Sequence, residues 1–203
     1  MISRRYKTVF VHIPKTGGQS VECVFLKAHG LDWESRAPLL LRRNADPAQG
    51  PERLAHLYAD EYAERYLSRE EFESFFKFAI VRNPYDRLLS EYRYRGAKVP
   101  LWLFLLRPLR NDYADRVRHL IPQTRYIYSR DGELLVDAVI RFEDIADEMP
   151  RIFQRTIGEA HALPHVNKSR KSSAKLRLSW LSRLIIRYRY AKDFRCLGYD
   201  RHA

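Results

Sequence analysis

Apolar and polar positions along the chain switch between the two-residue period of strands and the 3.6-residue period of helices. Val9 to Ile13 is a short, largely apolar, β-branched run that stops at Pro14. Lys15, Thr16, Gly17 and Gly18 follow, and an amphipathic stretch extends from Val21 to His29. That order predicts a strand, a tight loop and a helix. Leu31 to Pro51 is rich in Pro, Arg and Asn and reads as an irregular excursion. Ala59 to Phe75 predicts two short helices, the second capped by Ser68 with Glu71 three residues on. Phe76 to Val81 predicts a buried parallel strand reached by a crossover, and Pro84 suits the first position of a helix running to about Tyr94. The longest apolar run, Val99 to Leu106, falls well short of the ~20 residues that span a bilayer and reads as a core or interfacial helix. Leu134 to Arg141 predicts a third strand, and Glu143 to Ile157 a helix closed by Gly158. Leu176 to Phe194 predicts one long basic helix ending near Gly198, with Trp180, Leu184 and Ile185 at helical spacing in the core. Strands alternating with helices indicate an α/β layered fold with a central, mainly parallel sheet flanked by helices. Ligands of such sheets sit at the carboxyl ends of strands, where Lys15 and Arg82 both stand.

Composition changes this picture less than charge does. The 203 residues suit one domain over 1–203, and 45% hydrophobic with 31% charged residues is the balance of a soluble globular protein. No signal-peptide or transmembrane pattern is present. Cys23 and Cys196 match no metal-ligand spacing and no disulfide framework, which predicts buried thiols in a reducing cytoplasm. The net charge of +12 is uneven: from Pro164 onward 11 Lys and Arg stand against Asp193 and Asp200, leaving only +3 for everything before. A basic C-terminal segment suits an anionic ligand, nucleic acid or a membrane surface.

Two segments carry candidate chemistry. Adjacent glycines let the loop after the first strand turn its amides inward, and the helix N-terminus adds partial positive charge. Together they make a cradle for a phosphate or sulfate oxyanion. Lys15 precedes the glycines, whereas the lysine of a Walker A loop follows them, so this is not an ordinary kinase or GTPase loop. Arg82-Asn83-Pro84-Tyr85-Asp86-Arg87, with Ser90 two turns later, offers a guanidinium fork and a hydroxyl to a second phosphate. A lone Arg82 would more often pair with Asp86 or Glu91; beside the Lys-Thr-Gly-Gly loop the phosphate reading prevails.

These segments resemble the two phosphate motifs of sulfotransferases that use 3′-phosphoadenosine 5′-phosphosulfate (PAPS). Ile13-Pro14-Lys15-Thr16-Gly17-Gly18 is similar to their 5′-phosphosulfate loop. Phe78 to Leu88 with Ser90 is similar to their 3′-phosphate motif. Pro122-Gln123-Thr124, Val139 to Asp144, Leu163 to Ser169 and Tyr190 to Phe194 extend the likeness, in order, along nearly the whole chain, and the carbohydrate branch of the family is the nearest. The resemblance implies a three-layer, P-loop-like fold. It also implies sulfuryl transfer from PAPS to a carbohydrate hydroxyl, with 3′-phosphoadenosine 5′-phosphate as product and no metal. Lys15 would neutralise the leaving oxygen, and Thr16, Gly17, Gly18, Gln19 and Ser20 would hold the 5′-phosphate through amides and hydroxyls. Arg82 and Ser90 would hold the 3′-phosphate. Gln19 departs from the small hydroxyl residue usual in this loop.

Arg53 to Ala59 resembles the family's histidine segment, which makes His56 the candidate general base, with Glu52, Glu61 and Glu64 as rivals. The basic run containing Lys168, Ser169, Arg170 and Lys171 corresponds to a loop that closes over the nucleotide, although most charge runs are only solvated. Trp33, Tyr94, Trp102 and Phe104 could stack on a sugar, but packing is the commoner role of such residues. Two other readings compete: a nucleotide kinase with a variant loop, and a basic nucleic-acid-binding module. The first lacks a lysine after the glycines and a metal-binding aspartate at a strand end. The second lacks any helix-turn-helix, zinc-finger or RNP pattern.

Overall fold

The structure, a computed structural model, describes residues 1–164 and 178–202. Its strands are β1 (Ile2–Ser3), β2 (Thr8–Val11), β3 (Phe76–Val81) and β4 (Ala138–Arg141), in the spatial order β1-β2-β3-β4. β1 pairs antiparallel with β2, while β2, β3 and β4 run parallel, with Phe10 beside Phe78 and Ile80 beside Ile140. The helices are α1 (Gly18–Ala28), α2 (Ala59–Arg65), α3 (Arg69–Ser74), α4 (Pro84–Tyr94) and α5 (Leu101–Leu105). They continue with α6 (Asp115–Arg118), α7 (Thr124–Ile127), α8 (Ile145–Ile157), α9 (Trp180–Arg189) and α10 (Ala191–Cys196).

The two-residue period divides the sheet between two cores. Phe10, Phe78, Ile80 and Ile140 pack with Val21 and Phe25 of α1 and Met149 and Phe153 of α8. Val9, Val11, Ala79 and Val81 project to the opposite face, against Leu54, Tyr62, Tyr126 and Ile127. A third cluster joins α4, α5, α9 and α10 through Leu88, Phe104, Ile186 and Phe194. Each fully buried aliphatic or aromatic side chain contributes about 1.5–3 kcal/mol, so this division fixes the strand register.

β3, α4 and the box joining Ser68 to Glu71 lie where the sequence puts them. Two elements differ. The third strand begins at Ala138 rather than Leu134, because Leu134 and Leu135 turn back on Tyr128 and Ile127. The predicted C-terminal helix is two: α9 stops at Tyr190, whose buried hydroxyl donates to the Leu120 carbonyl, and α10 restarts after it. Trp180 and Leu184, expected in the core, are 76% and 55% exposed. Among the described residues no helix is long and apolar enough to cross a membrane.

Candidate active site

The loop between β2 and α1 is built around its glycines. Gly17 adopts φ +84, and a β-carbon at Gly18 would come within 2.3 Å of the His12 ring. Only glycine lets the start of α1 lie on that imidazole. Lys15 has φ +72, an uncommon conformation for a side-chain-bearing residue, held here in the loop. Thr16 is buried, and its hydroxyl donates to the Ile13 carbonyl, so it closes the loop instead of facing outward. The Ser20 amide likewise donates to the Gly17 carbonyl. Both contacts lie within the loop and its junction with α1.

Arg82, at the end of β3, turns toward this loop. Its Nη1 donates to the Lys15 carbonyl at 3.3 Å, its guanidinium lies 4.3 Å over the Phe142 ring, and its buried Nε has no partner. A buried guanidinium nitrogen without an acceptor, beside a glycine cradle, is what a bound phosphate would satisfy. Burial lowers the Arg82 pKa from its ordinary value, with Asp86 and Glu143 opposing that shift. The Gln123 side chain holds the Arg82 backbone from both sides, accepting its N–H and donating to its carbonyl, each at 2.8 Å. Asp193 in turn accepts from the amides of Gln123 and Thr124, and Glu143 accepts from the Asn83 amide. Buried Arg87 donates to the carbonyls of Pro14, His119 and Ile121, tying the loop to α4 and to the chain before α7. Ser90 lies half-buried on α4.

The Lys15 ammonium stands 3.9 Å from the centre of the Tyr94 ring. Burial lowers its pKa, Glu91 pulls it back up, and Arg82 and Arg95 lower it further.

Beside the loop three histidines stand edge to face, with His12 and His119 each about 5 Å from His56 between ring centres. Each offers Nδ1 to a carboxylate: His12 to Glu22 at 2.6 Å, His56 to Asp115 at 2.6 Å and His119 to Glu91 at 2.7 Å. An ionised carboxylate only accepts, so in His56, which burial keeps neutral, Nδ1 carries the proton and Nε2 keeps the lone pair. Burial drives His56 down to about 3, against the hydrogen bond it makes to Asp115, which raises it. Although burial raises Asp115, hydrogen bonds from His119 and His56 hold it below the usual carboxylate range. His56 and His12, with Gln19, Trp33 and Arg53, line a cleft of about 190 Å³.

The rival bases occupy different surroundings. Glu61 is buried in a two-pronged ion pair with Arg118, at 2.6 and 2.7 Å. Glu64 is exposed, and Glu52 accepts from the Asp115 amide. Asp115, His119, His12 and Glu22 went unread in the sequence. His56, Asp115 and His119 also bring one ligand atom each within 4.8 Å of one another, a grouping that could hold a metal ion and that the two-cysteine inventory did not reveal. Lys168, Ser169, Arg170 and Lys171 lie outside the described residues.

A family model described as "Sulfotransferase family" matches residues 1–200. No curated protein and no solved structure gives a significant match.

Proposed function

The chain belongs to the sulfotransferase family, and from that membership we propose that it moves a sulfuryl group from PAPS to a hydroxyl of a carbohydrate acceptor. We read residues 1–203 as one sulfotransferase domain of three-layer, P-loop-like fold, acting in the cytoplasm. The observation that carries the donor assignment is the convergence of Arg82 on the Lys15 loop, with a buried Nε left unpartnered.

The donor supplies an activated sulfuryl group bonded to a phosphate oxygen. The loop amides of Thr16 to Gln19 and the Gly17–Gly18 cradle would hold its 5′-phosphate, and Arg82, with Ser90, its 3′-phosphate. Lys15 stabilises the negative charge that builds on the leaving oxygen, and a rigid cation there needs no reorganisation as charge develops. His56 accepts the acceptor hydroxyl's proton at Nε2, while Asp115 fixes the tautomer and balances the imidazolium that results. Gln19, Trp33 and Arg53 border the cleft from which an acceptor would reach His56.

The test is binding of 3′-phosphoadenosine 5′-phosphate without metal. At ~100 times its dissociation constant it should stabilise the fold by about 2.7 kcal/mol. A thermal shift with ATP and Mg2+ but none with the 3′-phosphorylated nucleotide would overturn the donor assignment. Transfer of radiolabel from PAPS to a saccharide panel then tests the acceptor class.

A further inference from the structure

α9 turns two opposed stripes in opposite directions. Ser182, Ile186 and Tyr190 are buried against α4 and α5. Trp180, Leu184 and Tyr188 lie two residues out of phase with them, roughly 200° around the helix. They are 76%, 55% and 88% exposed. A helix on the outside of a globular protein normally carries charged or polar residues on that face. This one presents an indole, an isobutyl group and a phenol on successive turns. α5 packs against the buried stripe, not against this row. Single exposed leucines need no explanation, but a row of bulky apolar groups along one helix does.

Arginines flank the row. Arg183 lies over the Tyr85 ring, and Arg187 Nε donates to the Tyr85 hydroxyl at 3.0 Å and to the Arg201 carbonyl at 2.8 Å. On the other side Arg189 donates to the carbonyls of Leu105 and Arg107. These oxygens are neutral, so the bonds orient Arg187 and Arg189 without cancelling their charge. Over residues 178–202 six Lys and Arg stand against Asp193 and Asp200, and Asp193 is buried under α7.

We propose that the outer face of α9 docks on an anionic membrane surface. Trp, Tyr and Leu enter the boundary between headgroups and acyl chains, and arginines beside them meet lipid phosphates. Charge separates this from its rivals. A second copy of the chain on this face would set arginine against arginine, whereas an anionic bilayer complements both the apolar row and its flanks. A nucleic-acid backbone would match the arginines but offers nothing to the Leu184 side chain.

The test is co-sedimentation of the full chain with vesicles of phosphatidylcholine alone and of equimolar phosphatidylcholine and phosphatidylglycerol. Binding is expected to the anionic vesicles only, weakening as salt is raised, with Trp emission moving to the blue. In a Trp102→Phe background, which silences the half-buried indole on α5, the emission shift should persist, and adding Trp180→Phe should abolish it. Leu184→Asp, at an exposed position, should weaken vesicle binding by about tenfold or more, with Tyr188→Ser as the second variant should the first fold poorly. Binding indifferent to lipid charge, binding unchanged in both variants, or absence of binding to either vesicle would overturn the proposal. So would a Leu184-dependent dimer with no affinity for lipid.

Discussion

At the scale of the residue, the site turns on which nitrogen of His56 is free. Asp115 accepts the hydrogen bond from Nδ1–H, which leaves Nε2 as the acceptor. His56→Ala should lower turnover by roughly 10²–10⁴-fold while nucleotide affinity holds, measured by steady-state rates and nucleotide titration. Removing the carboxyl of Glu64, which is exposed, should change little. Burial keeps His56 neutral far below the ~6.5 of a free imidazole, so the acid limb of the pH–rate profile should lie at lower pH than an unperturbed histidine would give. A limb centred near 6.5 would show that the base is a solvated imidazole instead. Lys15→Ala should depress turnover more than affinity. Arg82→Ala should instead erase the preference for the 3′-phosphorylated nucleotide over adenosine 5′-phosphosulfate, read by comparing their dissociation constants. Lys15, Arg82 and His56 were legible because each sits inside a local pattern. Their supports were not: Glu22, Asp115 and Glu91 pair with His12, His56 and His119 across 10, 59 and 28 residues. No local periodicity encodes a pairing that only the folded chain brings about.

At the scale of the element, local chemistry marks boundaries well and tertiary partners mark them poorly. Pro84 starts α4, and the Ser68–Glu71 box starts α3, through contacts within a few residues. The break between α9 and α10 depends on Leu120, 70 residues away, and the late start of β4 depends on Ile127 and Tyr128. The loop glycine makes a sharper claim. Gly18→Ala would drive a methyl group into the His12 ring, and overpacking of this kind costs about 1–3 kcal/mol. Urea unfolding should show that loss, and nucleotide affinity should fall with it as the loop shifts. Asp193→Ala should loosen α7 and release Gln123, leaving buried amides unpaired at a cost of about 1–3 kcal/mol each. Because Gln123 clamps Arg82, this variant should also weaken 3′-phosphate binding without touching the nucleotide.

At the scale of the whole molecule, His56 and the carboxylates of Glu22, Glu91 and Asp115 push the pH dependence of stability in one direction. An unfolded chain protonates His56 near ~6.5, whereas the folded chain delays this to about 3, so the unfolded state gains stability as pH falls through that window. Glu22, Glu91 and Asp115 are held below the usual carboxylate range, so their stabilisation is present above the unfolded carboxylate pKa and fades below it. Thermal melts should therefore show a midpoint that declines steadily from neutral pH into acid, and His56→Gln should flatten the part above pH ~5. A midpoint constant down to pH ~5 would contradict the burial of His56. The sheet adds a consequence of another kind, about time. Its strands lie side by side in the order of synthesis, so each new strand finds its neighbour already made. The Asp193 carboxylate that caps α7, and Tyr199 that meets Glu143, arrive only long after β4. A chain growing from its N-terminus, as on the ribosome, can thus assemble its sheet early and yet carry an unfinished donor site until residues 193–199 have emerged.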